Sequence, residues 1–372
     1  MTMLSEKIKY SRELLKLSQT DVANKLGYKN YQQIHYFETA AREPSIYDLK
    51  QLADILHQDI SYFLNDNAPV LQEMSIKWRN EPNEEQTPAT QARIRRLGDN
   101  YKLIETLLQV QSYKSLDNNN EVRSLNECKK LADDYIEALG LGARPAKVLK
   151  QVLEDDYGLK IFEINSGDAA FSGATISYQN NFMIALNAQE KIWRRNFSLA
   201  HELYHVITWN KQSTISMEEN EKFAEMFASC LLLPTAIIKE EINHLRQKSA
   251  ITTIDLIDLA IEFDVSFEAL INKLNNMKII SSSTRNSLMS GCKTSALKRN
   301  RYDEYEKKSQ KVAEFSSRYA RLAAKCYIEG KISSGKLCEL VGISRHQVSQ
   351  YIASIGLEYY ASSTKEVQLI PA

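Results

Sequence analysis

The stretch from Trp193 to Trp209, WRRNFSLAHELYHVITW, carries the densest chemical signal in the chain. Leu199, Leu203, Val206 and Ile207 recur at helical spacing, so the segment reads as an α-helix with one apolar face. His201 and His205 stand four residues apart and project from one side, where two imidazoles can hold a single metal ion. Glu202 is turned about 100° from His201, which aims its carboxylate at water beside the metal, the place of a general base. A tetrahedral site with one open position needs a third protein ligand. The next segment, SMEENEKFAEMFASCLLLP (216–234), reads as a second helix carrying Glu218, Glu219, Glu221 and Glu225. Glu221 and Glu225 share a face with Ala224 and Ala228 and can point toward the first helix, whereas Glu218 and Glu219 read as solvated.

Working outward, GLKIFEIN (158–165), SGATISY (172–178) and NFMIALN (181–187) are rich in β-branched and aromatic residues and bounded by turn residues, which predicts a small antiparallel sheet. Amphipathic helices precede it, one with Tyr101, Ile104, Leu107 and Leu108, another with Cys128, Leu131, Ala132, Tyr135 and Leu139. The expected class is therefore mainly α with a small antiparallel β-sheet, an α+β fold. Low glycine and proline usage, 12 and 7 residues, fits a helical chain.

The first 66 residues read as several short helices around Ile8, Leu15, Leu17, Val22, Ala23 and Leu26. Ser18 with Asp21, and Ser45 with Asp48, form capping boxes that place helix starts near Gln19 and Ile46. Between them Ile34 and Phe37 turn inward while Tyr31, Gln32, His35 and Tyr36 face out, the pattern of a helix-turn-helix.

These motifs resemble two known families. SQTDVANKLGYKNYQQIHYFETAAREPS (18–45) is similar to the helix-turn-helix of the XRE family, the lambda-repressor-like domains. The resemblance implies double-stranded operator DNA as a partner and a homodimer reading half-sites. Gln19 would bond a phosphate, Tyr31, Gln32 and Tyr36 would meet base edges, and Gln33, His35 and Lys29 are further candidates. Ala40 stands where the family often has glycine. The FSGATI strand, the ALN strand, RRNFSLAHELYH, the acidic helix and LAIEFDVSFEALINKL (259–274) together resemble the ImmA/IrrE metallopeptidases, zincin-like and of the gluzincin kind. That resemblance implies Zn2+ held by His201, His205 and Glu221, with Glu202 as catalytic base and peptide hydrolysis as the reaction. Glu225 falls where the family commonly has asparagine, and is assigned a hydrogen bond to a ligand histidine or the place of an alternative ligand. Tyr204 replaces a usual glycine at a position read as exposed. Zincins hold substrate as a strand added to a sheet edge, and NFMIALN is the expected edge because it directly precedes the metal helix.

NDNAPVLQEMSIKWRNEPNEEQTPATQA (65–92) is poor in periodic apolar positions and reads as a hinge. At the far end, GKISSGKLCELVGISRHQVSQYIASIG (330–356) has a second helix-turn-helix pattern, with Ser344 and Gln347 as a capping box and Arg345, His346 and Gln350 outward. DNA contact and packing or dimerisation are equal readings of that segment. The organisation expected is a DNA-binding domain at 1–66, a linker at 67–100, a metallopeptidase domain at 101–280 and a basic helical segment at 291–372.

The 47 basic and 47 acidic residues cancel overall, but the segments 1–66, 67–290 and 291–372 carry net charges of −1, −5 and +6. Five widely spaced cysteines without a C-x-x-C pair argue against a disulfide framework or a thiolate zinc site, and point to a reducing cytoplasm. No apolar run nears the ~20 residues of a membrane span, and the amino terminus lacks the apolar core of a signal peptide. The function expected is a DNA-binding regulator with a zinc endopeptidase domain, cleaving a repressor, an antitoxin or itself in a stress or mobile-element response. The alternative is a non-catalytic regulator whose peptidase-like domain senses a ligand or partner.

Overall fold

The computed structural model describes residues 2–64, 74–79, 87–110, 113–117, 119–165, 171–178, 181–248, 250–293, 300–305 and 316–356. They fall into two compact units, Met1–Gly98 with Tyr113–Glu314, and Asp99–Ser112 with Phe315–Ala372.

The first unit opens with five short helices, α1 (Met3–Leu14), α2 (Gln19–Lys25), α3 (Gln32–Thr39), α4 (Ile46–Ile55) and α5 (Ile60–Leu64). Both expected capping boxes are present, Ser18 with Asp21 and Ser45 with Asp48, so the starts of α2 and α4 are set by local hydrogen bonds. Ile8, Val22, Ile34, Phe37, Leu52, Leu56 and Phe63 are almost wholly buried and make one core. Ala40 ends α3 in the left-handed conformation at φ 60°, where glycine would be unstrained.

The sheet has four strands, β1 (Met74–Arg79), β2 (Lys160–Ile164), β3 (Gly173–Tyr178) and β4 (Asn181–Asn187), in the order β1-β3-β4-β2. Two expectations are corrected here. The sheet is mixed, because β2 runs parallel to β4 while β1 with β3 and β3 with β4 are antiparallel. NFMIALN is an interior strand, flanked by β3 and β2, and the edges are β1 and β2. The reason lies in β1, which comes from the stretch read as a hinge: Met74, Ile76 and Trp78 alternate with Ser75, Lys77 and Arg79, a half-buried edge pattern masked by polar flanks. Residues 87–92 of that stretch open a long helix, α6 (Thr87–Leu107), so residues 67–100 are in part regular structure.

Each face of the sheet is covered. Gly98 of α6 sits so close to Met183 that a Cβ there would lie 2.7 Å from its sulfur, and Arg95 stacks over the Tyr178 ring. On the other face Ile161, Ile184 and Leu186 join the core built around α9 (Ile192–Ile207), with α7 (Leu125–Ala138) and α8 (Pro145–Asp155) packed alongside. Arg195 pins the start of α9 to the sheet through the Ala188 carbonyl and an ion pair with Glu163 of β2. A 3-10 turn (Trp209–Thr214) reverses the chain into α10 (Met217–Leu232), which Ser216 caps and Pro234 follows. Helices α11 (Thr235–Lys248), α12 (Thr253–Glu262), α13 (Phe267–Asn276) and α14 (Ser282–Lys293) complete this unit.

The second unit gathers the end of α6 with α15 (Ser317–Ile328), α16 (Ser334–Val341) and α17 (Val348–Ser354). Tyr101 and Tyr319 pack edge to face at 5.1 Å, and Arg318 bonds Tyr101 and Glu105. The terminal segment therefore closes its core with residues 99–112 and is not self-contained. Gly342 turns left-handed after α16, and the Ser344 and Gln347 capping box opens the next turn, leaving Arg345, His346 and Gln350 exposed.

Candidate metal centre and DNA-facing helix

Helix α9 presents His201 and His205 from its buried face, and α10 brings Glu221 to them. His201 Nε2 lies 3.1 Å from Glu221 Oε2 and 3.2 Å from His205 Nε2, and His205 Nε2 is 3.2 Å from Glu221 Oε1. Three donor atoms held at bonds of about 2.0 Å to a tetrahedral zinc ion would stand roughly 3.3 Å apart, so the spacing fits that ion. Two imidazole nitrogens and a carboxylate with converging lone pairs are also the donor chemistry zinc takes.

The electrostatics agree. Burial draws His201 down to about 4, against a hydrogen bond to Glu221 that raises it, so its ring is neutral and its lone pair available. Glu221, which burial alone would raise, is instead held well below the carboxylate range by hydrogen bonds with both histidines. It remains 39% exposed on its side chain, which leaves the centre an opening.

Glu202 is wholly buried one position from His201, and burial pushes its carboxyl up to about 7 against the charge of His205 and a hydrogen bond from Thr175. Thr175 Oγ1 on β3 lies 2.7 Å from Glu202 Oε2 and 3.1 Å from the Glu202 carbonyl oxygen. The other carboxylate oxygen, Oε1, is buried without a hydrogen-bond partner among the described residues. Gly173 is opposite it, and a Cβ there would lie 2.7 Å from Oε1. Gly173→Ala is thus expected to displace the Glu202 carboxylate, because the space the new methyl group needs is already filled.

Neither Gly173 nor Thr175 was assigned a role from sequence, although a glycine inside a β-branched strand signals close approach by another group. Glu225 is exposed and lines a cavity of about 1150 Å³ with Trp193, Phe197, Phe223 and Met226, outside the metal group. Tyr204, expected to be exposed, is 1% exposed, because its ring fills the space between His205 and Phe227 at 5.5 and 5.8 Å.

In the first helical domain Tyr31, Gln32, His35 and Tyr36 share the exposed side of α3 while Ile34, Phe37 and Glu38 are buried beneath. Lys29 is exposed in the turn before them. Gln33 accepts from Arg42 at 3.1 Å, and the Gln19 amide nitrogen donates one of its two hydrogens to Glu38 at 2.7 Å. Among the described residues no helix is long and apolar enough to cross a membrane.

Comparison with known proteins finds two family matches. Residues 154–275 match the IrrE N-terminal-like domain of the M78 peptidases, and residues 8–63 match the helix-turn-helix family. No curated protein matches the chain. Among solved structures, Bacillus thuringiensis PlcR in complex with the peptide PapR7 and DNA aligns over 96% of each chain at 12% identity, with a TM-score of 0.18.

Proposed function

The chain joins an XRE-type helix-turn-helix domain to an IrrE-like domain, and from that union we propose that it is a DNA-binding transcriptional regulator carrying a zinc endopeptidase. The observation that carries the reading is the convergence of His201, His205 and Glu221 at tetrahedral spacing beside a buried Glu202 with one unpartnered oxygen. A zinc ion on these ligands supplies Lewis acidity to water and to a peptide carbonyl. Glu202 Oε1 takes a proton from the attacking water while Thr175 keeps Oε2 in place, and the same carboxyl then returns the proton to the leaving amine nitrogen. Water oxygen joins the carbonyl carbon, the C–N bond breaks, and a carboxylate and an amine result. Neutral His201 adds no positive charge of its own to the site.

Exposed Tyr31, Gln32, His35 and Tyr36 are the side chains offered to base edges, with a homodimer setting the spacing of half-sites. A repressor or antitoxin bound near the operator is the substrate this union favours, since tethering to DNA raises the local concentration of such a partner. A non-catalytic sensor would not require Gly173 to stand clear of Glu202, and this favours turnover.

Zinc-loaded full-length protein incubated with a mixed peptide library is expected to generate new termini by mass spectrometry, absent with chelator. No new termini at any loading would overturn the peptidase. For the reader, full-length protein should select an inverted repeat from random duplex DNA, with log affinity falling linearly against log salt. Selection of no sequence would remove that half of the proposal.

A further inference from the structure

The sheet edge beside the metal helix is filled by the chain itself. Strand β3 is the one that touches Glu202, through Gly173 and Thr175. Its outer side is covered along its length by β1, antiparallel, from Met74 opposite Tyr178 to Arg79 opposite Gly173. β1 lies outside the segment matched by the IrrE-like family, which begins at residue 154, and comes from the polar stretch between the two matched domains. A peptide laid directly against β3, the strand that touches Glu202, has to use the ladder that β1 fills, since the other side of β3 is paired with β4.

The side chains of β1 hold it over the metal ligands. Lys77 and Arg79 share the face of Thr175 and Gly173. Arg79 donates to Ser198 at 3.2 Å and stacks over Phe197, three to four residues before His201, while Lys77 stacks over Trp209, four residues after His205, at 4.1 Å. β1 is thereby fastened at both ends of the helical stretch that carries both histidines. On its other face Trp78 packs edge to face on Phe171 at 5.5 Å.

We propose that β1 occupies the substrate-strand position of the peptidase domain, so that a peptide substrate enters by exchanging with residues 74–79. This rests on the peptidase reading for the meaning of the position, but the exchange is measurable without metal or turnover. The regulator is then closed to substrate until whatever moves the interdomain segment releases the strand.

The test uses the full chain with Glu202→Gln, which removes turnover, and a fluorescein-labelled peptide of residues 72–81, QEMSIKWRNE. Ser75 and Ser177 are directly opposed across β1 and β3, so Ser75→Cys with Ser177→Cys allows β1 to be locked by oxidation and released by reductant. A second variant, Ile76→Pro with Lys77→Pro, removes ladder donors from β1. The peptide is expected to bind the reduced pair at least tenfold more tightly than the oxidised pair, and the proline variant at least tenfold more tightly than its parent. Equal affinity for oxidised and reduced protein, as when the peptide adds to the outside of β1, overturns the proposal, and so does the absence of binding in every form. If the proline variant fails to fold, the oxidised and reduced comparison decides alone. Failure to hold zinc would sink the peptidase reading and leave this result standing, whereas full turnover by the same cysteine pair with Glu202 intact and β1 locked would sink the strand exchange and leave the peptidase.

Discussion

Glu202→Gln is expected to keep the full metal content of the parent and to lower peptide hydrolysis by about 10²–10⁴-fold, the range a positioned general base contributes. Glutamine keeps the size of the side chain and can still accept from Thr175 Oγ1, so the 2.7 Å contact that orients the group survives. What is lost is the proton acceptor at Oε1, the buried oxygen with no other partner. Metal analysis and cleavage assays on the same preparation separate these effects. Undiminished turnover would place the proton acceptor elsewhere.

The second large effect is expected in the DNA-facing domain, where Glu38→Ala should destabilise the five-helix core by about 3–5 kcal/mol, the range found when one partner of a buried ion pair is removed. Glu38 is 1% exposed and accepts from Arg12 Nη2 at 3.0 Å and from Gln19 at 2.7 Å, tying α1, α2 and α3 together. Arg12, 11% exposed on its side chain, would keep only the Leu17 carbonyl at 2.8 Å and the exposed Glu13. Thermal melting followed by circular dichroism should show an early helical transition, and DNA binding should go with it, while metal content stays unchanged. An unshifted melting curve would mean that the domain does not depend on this pair.

Much of this architecture is legible in the amino-acid sequence, and the reasons differ from element to element. The convergence of His201 and His205 is legible because i and i+4 histidines face one way whatever surrounds them, and the starts of the N-terminal helices because Ser18 with Asp21 and Ser45 with Asp48 are local devices. Strand β1 was hidden because six alternating residues in a polar stretch resemble a linker until a partner strand is known. The mistaken edge at NFMIALN followed from it, since sequence adjacency to α9 says nothing about strand order, and the parallel pairing of β2 with β4 is long-range information. Tyr204 was misplaced for a related reason: its side of α9, next to the His205 ring, is covered by Phe227 of α10, a contact that no spacing within α9 reveals. Gly173 and Thr175 lay in a quoted strand, but their roles depend on which face of β3 meets α9.

Metal content tests the account most directly. Purified full-length protein, washed with chelator, reloaded with zinc and measured by elemental mass spectrometry, is expected to hold one zinc ion per chain. His205→Ala should lose it, because two of the three converging donors no longer make a closed set. Zinc absent from the parent after reloading, or retained in full by the variant, would contradict the metal centre and with it the peptidase.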